Sequence, residues 1–549
     1  MTEQSADRSA EQSSEQPTKQ PAQRSAQQPT EHSAEQPTAP TPPPHPTPVP
    51  PPAPSPPYAT TDAPRHRPAR RTALLLAATA LATAWTPPTG SRAAGTSADT
   101  TARPGAGHAA SVEGVWRMEG YGTLVTIDER RLRTYETTTV SCLPGSVDGV
   151  RTGPPGAGGR VEFAVPGAAH VTIAPQGAGV ARLSIQDNVG YRTLHRIAGL
   201  PAHCRRHPAK DPRTVFDVFW HTYAENYPFF AARGIDWAAV RDRYRPRVTA
   251  RTTDDELFAV LREMIEPLHD GHTYLTAGPG RVYAGSRPGT TAPTPAFLKQ
   301  VDAAITAGLG RDATLHRWAG GALSYADLPH RLGYLRITSF TGYTSQDAYR
   351  SDVTELDRAL DAVFTRARTS GPEALRGLVI DVRLNGGGSD PLGLRVASRL
   401  TGHPYLAYRK HTRNDPADPR KFTPDQRIGV RPHDGPRYPG PLVLLTGRLT
   451  ISAGETFTQA LLGRAPAPVR IGEDTQGVFS DVLDRTLPNN WKFGLPNEEF
   501  LTAGGRTFDG TGIPPTLRTP VFTPDDLASR RDPALSRART LLATGHPTS

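Results

Sequence analysis

Cysteine occurs only twice in this 549-residue chain, as Cys142 and Cys204, and lysine supplies only six of its 63 basic residues. No CxxC pair exists, which excludes zinc ribbons and thioredoxin-like redox chemistry. The lysine shortage goes with abundant Ala, Pro and Arg, a composition expected from a GC-rich coding bias, so the net charge of +10 says little about nucleic acid. Beyond residue 104 no basic block is interleaved with aromatics, which favours a solvated basic surface over a nucleic-acid groove. With 21% charged and 36% hydrophobic residues the chain is not wholly disordered. Its length allows two or three domains.

Residues 1–64 are Gln, Glu, Ser and Pro, with SAEQ and EQPT each repeated and twelve prolines between positions 40 and 57. Such a segment buries too little apolar surface to offset its chain entropy and is expected to be a disordered, partly polyproline-like extension. Arg65, Arg67, Arg70 and Arg71 then precede TALLLAATALATAWT at 72–86, and Ala82-Thr83-Ala84 has the small-residue form of a cleavage site. This is an export signal in form. The apolar run falls short of the roughly 20 residues a spanning helix needs, so a cleaved signal is favoured and an anchor at 72–86 stays open.

After a linker at 87–111, short β-branched runs between Gly-, Pro- and Asp-rich turns predict a small β domain at 112–204. In an exported protein Cys142 and Cys204 are expected to pair, closing a loop of about 60 residues worth about 4 kcal/mol; two buried thiols are the alternative. From 211 to 280 the periodicity turns helical. Val215, Phe216, Phe219, Trp220 and Tyr223 share a face, and Thr253 to Glu256 forms a capping box. Between 281 and 525 strands and helices alternate, among them GYLRI, LRGLVIDV, PLVLLT and VRIG, which predicts a layered α/β catalytic domain. Residues 526–549 are left as a tail.

Three places carry chemistry. GLVIDVRLNGGGSD (377–390) runs a buried strand into Gly386, Gly387 and Gly388, whose N–H groups suit an oxyanion, although a plain tight turn explains them too. It lacks GxGxxG and the lysine of a phosphate loop. PLVLLTGRLTISAGE places Ser452 at a helix start, where it can serve as nucleophile or, with Glu455, as an ordinary capping box. His269 and His272 flank Asp270-Gly271 beyond a helix end; without HExxH or a third ligand they point to a general base sooner than to a metal.

In order, DVFWHTYAENYPFFAARGIDW, DGHT, GYLRITSF, VIDVRLNGGG, ISAGE, IGEDTQG and FDGTGIPP, within residues 211–518, resemble the tail-specific or C-terminal processing serine peptidase family. The resemblance implies a crotonase-like α/β catalytic domain with Ser452 as nucleophile and the N–H groups of Gly387 and Ala453 as oxyanion donors. The family's usual catalytic lysine falls on Gly477, the next lysine being Lys492, and no PDZ-like insertion is apparent. The chain is therefore similar to the tricorn-core and retinoid-binding-protein-like branch, which implies His272 as base and an acid near Asp509, with Asp270 a second candidate. The branch's serine before that histidine is Gly271 here.

The expectation is thus an exported, extracellular or cell-envelope serine peptidase acting on peptides or proteins, with no cofactor, no metal, no nucleic acid, and membrane contact only through an N-terminal anchor. The rival is an inactive relative that binds a peptide or apolar ligand.

Overall fold

The structure, a computed structural model, describes residues 111–544 apart from 168, 207 and 347. The extension at 1–64, the basic and apolar segment at 65–86 and the linker up to residue 110 lie outside the described residues. Among the described residues no helix is long and apolar enough to cross a membrane.

Eight antiparallel strands, from Gly114–Met118 to Arg192–Ile197, close into a barrel in which the first pairs with the last. Alternation sets its interior: Trp116, Val125, Leu132, Phe163, Ile173 and Leu194 are buried while intervening residues face outward. Closure leaves no strand edge to pair elsewhere. Cys142, at the start of the strand Cys142–Arg151, is disulfide-bonded to Cys204 just past the barrel.

Three helices follow. Pro212–Asn226 is capped by Asp211, whose carboxylate accepts the N–H groups of Arg213 and Thr214. Trp237–Tyr244 comes next, and Asp254–Ile265 opens with the reciprocal Thr253/Glu256 box. Their apolar faces share one core with the barrel and with the strands Val482–Thr486 and Lys492–Pro496. Tyr274–Thr276 pairs directly with Lys492–Pro496, so strand pairing crosses the boundary drawn between residues 280 and 281.

A seven-stranded mixed sheet forms the centre, in the order His316–Trp318, Leu323–Leu328, Leu332–Ile337, Gly377–Asp381, Leu442–Thr446, Val469–Gly472, Leu517–Arg518. From Leu332–Ile337 onward its pairings are parallel. Gly377–Asp381 and Leu442–Thr446 are buried at every position, as strands covered on both faces must be. Leu378, Ile380 and Leu444 face the helices Tyr349–Val363, Asp390–Ser398 and Ala453–Leu462; Val379, Val443 and Leu445 face Pro295–Leu309 and Pro533–Thr544.

The last helix shows that 526–544 is no loose tail. Ala534, Leu535, Ala538 and Leu541 are buried against the sheet. Asp532 receives two 2.7 Å hydrogen bonds from the buried guanidinium of Arg383, which also binds Asp381. Terminal position and modest hydrophobicity hid this partner, whose ion pair closes over about 150 residues.

Candidate active site

The two loops that leave the ends of adjacent parallel strands, 382–389 after Gly377–Asp381 and 447–452 after Leu442–Thr446, meet face to face, the position where layered α/β sheets place their chemistry. Asn385 fixes both. Fully buried, it donates through Nδ2 to Ile337 O at 3.0 Å, accepts Gly387 N–H through Oδ1 at 3.0 Å, and accepts Ile451 N–H on its carbonyl at 2.9 Å. An asparagine beside glycines looks like ordinary turn chemistry, and only these long-range bonds distinguish it.

Ser452 stands at the N-terminus of Ala453–Leu462 with φ 54° and ψ −120°. A side chain at such a φ is strained, and strain of this kind is held in place by its surroundings. The capping box offered by Ser452 and Glu455 does not form: the serine makes no side-chain cap bond. Glu455 turns away instead, accepting the N–H of Gly477 at 2.7 Å and of Val478 at 2.8 Å. The hydroxyl is thereby left for other work. Gly387, at φ 98°, lies so close that a Cβ there would come within 2.7 Å of Ser452 Cβ. Only glycine fits.

Of the proposed oxyanion donors, Ala453 N–H has no partner among the described residues, as expected of a first helical residue. Gly387 N–H is engaged by Asn385, while Gly388 N–H, one residue on, is unpartnered among the described residues.

His272 and Ser452 converge on one short segment, Gly477 to Ser480. Val478 O accepts Ser452 N–H at 3.0 Å. The His272 ring faces the backbone of Ser480, and its Nδ1 is buried without a hydrogen-bond partner among the described residues. Burial pushes the imidazole below its ordinary value, with Asp270, Asp481 and the Ser480 backbone pulling the other way. Asp270, 1% exposed, accepts the His272 backbone N–H at 2.9 Å, Tyr227 Oη at 2.9 Å and Arg233 at 3.1 Å. It shapes the turn that presents the histidine.

Asp509 is buried on the far side of the same segment. It accepts Phe479 N–H at 3.3 Å and Thr507 Oγ1 at 2.8 Å, and the charges acting on the His272 ring are those of Asp270 and Asp481. Burial raises Asp509 to about 8, aided by Asp270 and opposed by Thr507 and Phe479. Glu455 is likewise raised to about 8 by burial, against the Thr475, Val478 and Gly477 donors. Two buried carboxyl groups thus hold three successive N–H groups, 477 to 479, of the segment to which Ser452 and His272 are tied. Among the described residues, the one cluster with metal-ligand spacing is Cys142, His203 and Cys204, and both its sulfurs are in the disulfide.

A strained serine stands opposite a glycine loop on a layered α/β sheet, and comparison with known proteins finds matches among peptidases. Residues 331–519 match peptidase family S41, and residues 208–266 match the tricorn protease C1 domain. The first match spans the motifs from GYLRITSF to FDGTGIPP and the second spans the helical lead-in, so both fall where the resemblance was drawn. It is 23% identical over 417 residues to tricorn protease homolog 1 of Streptomyces coelicolor, covering 61% of this chain and 35% of that one. It is 27% identical over 215 residues to the chloroplastic C-terminal processing peptidase of Tetradesmus obliquus, covering 38% and 40%. The chain thus spans well under half the length of these curated relatives. A crystal structure assigned to a peptidase of Parabacteroides merdae is similar with a TM-score of 0.50 and 25% identity, over 62% of this chain and 99% of that one.

Proposed function

We propose that the protein is an exported serine peptidase with a crotonase-like catalytic core, and that it cleaves peptide bonds through an acyl-enzyme on Ser452. The observation that carries this reading is the serine itself: a non-glycine residue at φ 54°, at a helix start, with its hydroxyl uncommitted and a glycine loop against it. In the cycle, neutral His272 accepts the Oγ proton and Oγ attacks the peptide carbonyl. Ala453 N–H and the glycine loop hold the oxyanion; Gly387, the family pattern's donor, is engaged by Asn385, and Gly388 N–H is the unpartnered donor of that loop among the described residues. The C–N bond breaks as His272 returns the proton to the leaving amine, and water, deprotonated by the same imidazole, then hydrolyses the ester.

Asp509 supports His272 in this scheme by fixing the Gly477–Ser480 segment that the ring leans on. The disulfide and the basic-apolar segment at 65–86 favour an extracellular or cell-envelope location.

The test is covalent labelling with a small fluorophosphonate followed by peptide mapping. Modification at Ser452, lost in Ser452→Ala together with peptide hydrolysis, is expected. An inert Ser452 in folded protein would transfer the function to the rival reading, a family member that binds peptides without cutting them.

A further inference from the structure

Where the barrel, the helix Pro212–Asn226 and the segment after Tyr405–Thr412 come together, a cavity of about 240 Å3 opens. That is below the roughly 300 Å3 at which sites for drug-sized ligands begin, and room enough for a molecule of amino-acid size. Its walls come from the barrel turns at 120–122 and 137–139, from Glu225 near the helix end, and from Arg413 and Asn414. Neither Ser452, His272 nor the glycine loop lines it.

Arg413 is the unusual member. It is 4% exposed, and no carboxylate pairs with it among the described residues. Its side chain makes one hydrogen bond there, from Nη1 to Tyr227 O at 3.0 Å, and its buried Nε has no partner. Burial pushes the guanidinium below its ordinary value, with Glu225, Asp415 and Asp418 pulling the other way. All three acids are spent on other groups. Glu225 accepts the N–H and the hydroxyl of Thr139 at 2.9 and 2.6 Å, Asp415 pairs with Lys421 at 3.0 Å, and Asp418 pairs with Arg420 at 3.3 Å. A buried guanidinium short of partners is costly, and a carboxylate answers its fork with two parallel N–H···O bonds.

Asn414 is a second, independent sign. Its Nδ2 donates to Glu119 at 3.0 Å, which fixes the orientation of the amide and leaves Oδ1 buried without a partner among the described residues. One wall therefore lacks a charged acceptor, and the residue beside it lacks an N–H donor. At the rim Arg117 is exposed and in no ion pair among the described residues. Two arginines against one glutamate leave the lining a single positive charge, which matches a carboxylate and falls short of a phosphate dianion.

We infer that this cavity binds a small carboxylate with an N–H close to it, the chemistry of an acylated amino acid, the carboxylate lying on Arg413 and the N–H on Asn414 Oδ1. Nothing in the lining depends on Ser452 being a nucleophile. Full-length Ser452→Ala protein, used so that no peptide is consumed, is titrated calorimetrically at low salt with N-acetylalanine, its uncharged amide, inorganic phosphate and N-acetyl-tetraalanine.

N-acetylalanine is expected to bind with a Kd of about 1 mM or lower, and its amide at least about tenfold more weakly. Arg413→Gln should remove that difference. Because Arg413 also holds Tyr227 O, Arg117→Glu at its exposed position decides the matter if Arg413→Gln fails to fold, with an expected loss of at least about fivefold. Equal binding of acid and amide overturns the inference. So does phosphate that binds more tightly than the acid, acid binding that the folded variant leaves unchanged, or no binding up to about 20 mM. Both results with the tetrapeptide support the site and name its source of ligand: affinity equal to that of N-acetylalanine means a chain end, and affinity at least about tenfold weaker means a free acid.

Discussion

The backbone N–H of Gly477 is bonded to the carboxylate of Glu455 at 2.7 Å. The glycine has φ 87°, and a Cβ placed there would come within 2.8 Å of Gly512 N and 2.9 Å of Gly510 C. The position where relatives carry a catalytic lysine is therefore closed to any side chain in this chain. Gly477→Ala should destabilise the fold by roughly 1–3 kcal/mol, and Gly477→Lys should not restore a Ser/Lys pair. Chemical denaturation checks the first and peptide turnover at alkaline pH the second; a Gly477→Lys enzyme with wild-type stability and raised activity would contradict both.

Ser452 separates catalysis from stability. Since its hydroxyl caps nothing, Ser452→Ala should abolish hydrolysis with almost no change in Tm, in contrast to the loss of about 1 kcal/mol that deleting a real cap brings. Ser452→Gly should be equally inactive yet more stable by roughly 1 kcal/mol, because glycine accepts a φ of 54° without strain. A stabilised alanine variant and a destabilised glycine variant would be the opposite of what this backbone requires.

His272 must be neutral to accept a proton, and burial lowers its pKa from 6.5. The acid limb of kcat/KM should accordingly fall below pH 6.5, with activity persisting to more acid conditions than an ordinary imidazole would allow. His272→Gln should reduce turnover at least about a hundredfold. Lys492, whose ammonium donates to Thr486 at 2.8 Å on an exposed strand, should be replaceable by Ala within about twofold. The reverse pattern in the two variants would move the base to the lysine.

Asp509 links stability to pH. Its folded pKa of about 8 lies above the ordinary 3.8, so the native state keeps a proton that the unfolded chain gives up. That contribution is complete below about pH 4, declines as pH rises towards 8, and is gone above it. Asp509→Asn should reduce the slope between about pH 5 and 7.5 by about 1.4 kcal/mol per pH unit. Glu455, raised to the same value, contributes a slope of its own that Asp509→Asn leaves in place. Urea denaturation across that range measures it, and an unchanged slope would mean that Asp509 is ionised in the fold.

Much of this was readable where the information is local. The Thr253/Glu256 box and the strand runs of the central sheet lie in short stretches whose period or residue types decide the outcome, and the disulfide was legible because the chain has only two cysteines. The Ser452/Glu455 spacing misled for the same reason, since spacing cannot show that Glu455 has better donors at Gly477 and Val478. Asn385 was overlooked because its partners, Ile337 and Ile451, are 48 and 66 residues away. The barrel looked like a set of β runs, and its closure was hidden because Cys142–Arg151 contains a proline and two glycines that resemble a turn. Its fastening to Ser389 and Asp481, through Asp187 and Asn188, depends on docking that no local pattern encodes.

The pairing of Arg383 with Asp532 bears on the order in which the fold can be completed. Arg383 lies two residues before Asn385, the residue that holds both loops of the candidate site, and half of its charge partners arrive only at the start of the helix Pro533–Thr544. A buried guanidinium deprived of a partner costs several kcal/mol, about 3–5 for a broken buried pair. The loop that carries Asn385 therefore has no firm footing until residue 532 has folded back under the sheet. A chain shortened before Asp532 would keep every residue of the candidate site and still lack the ground on which that site stands.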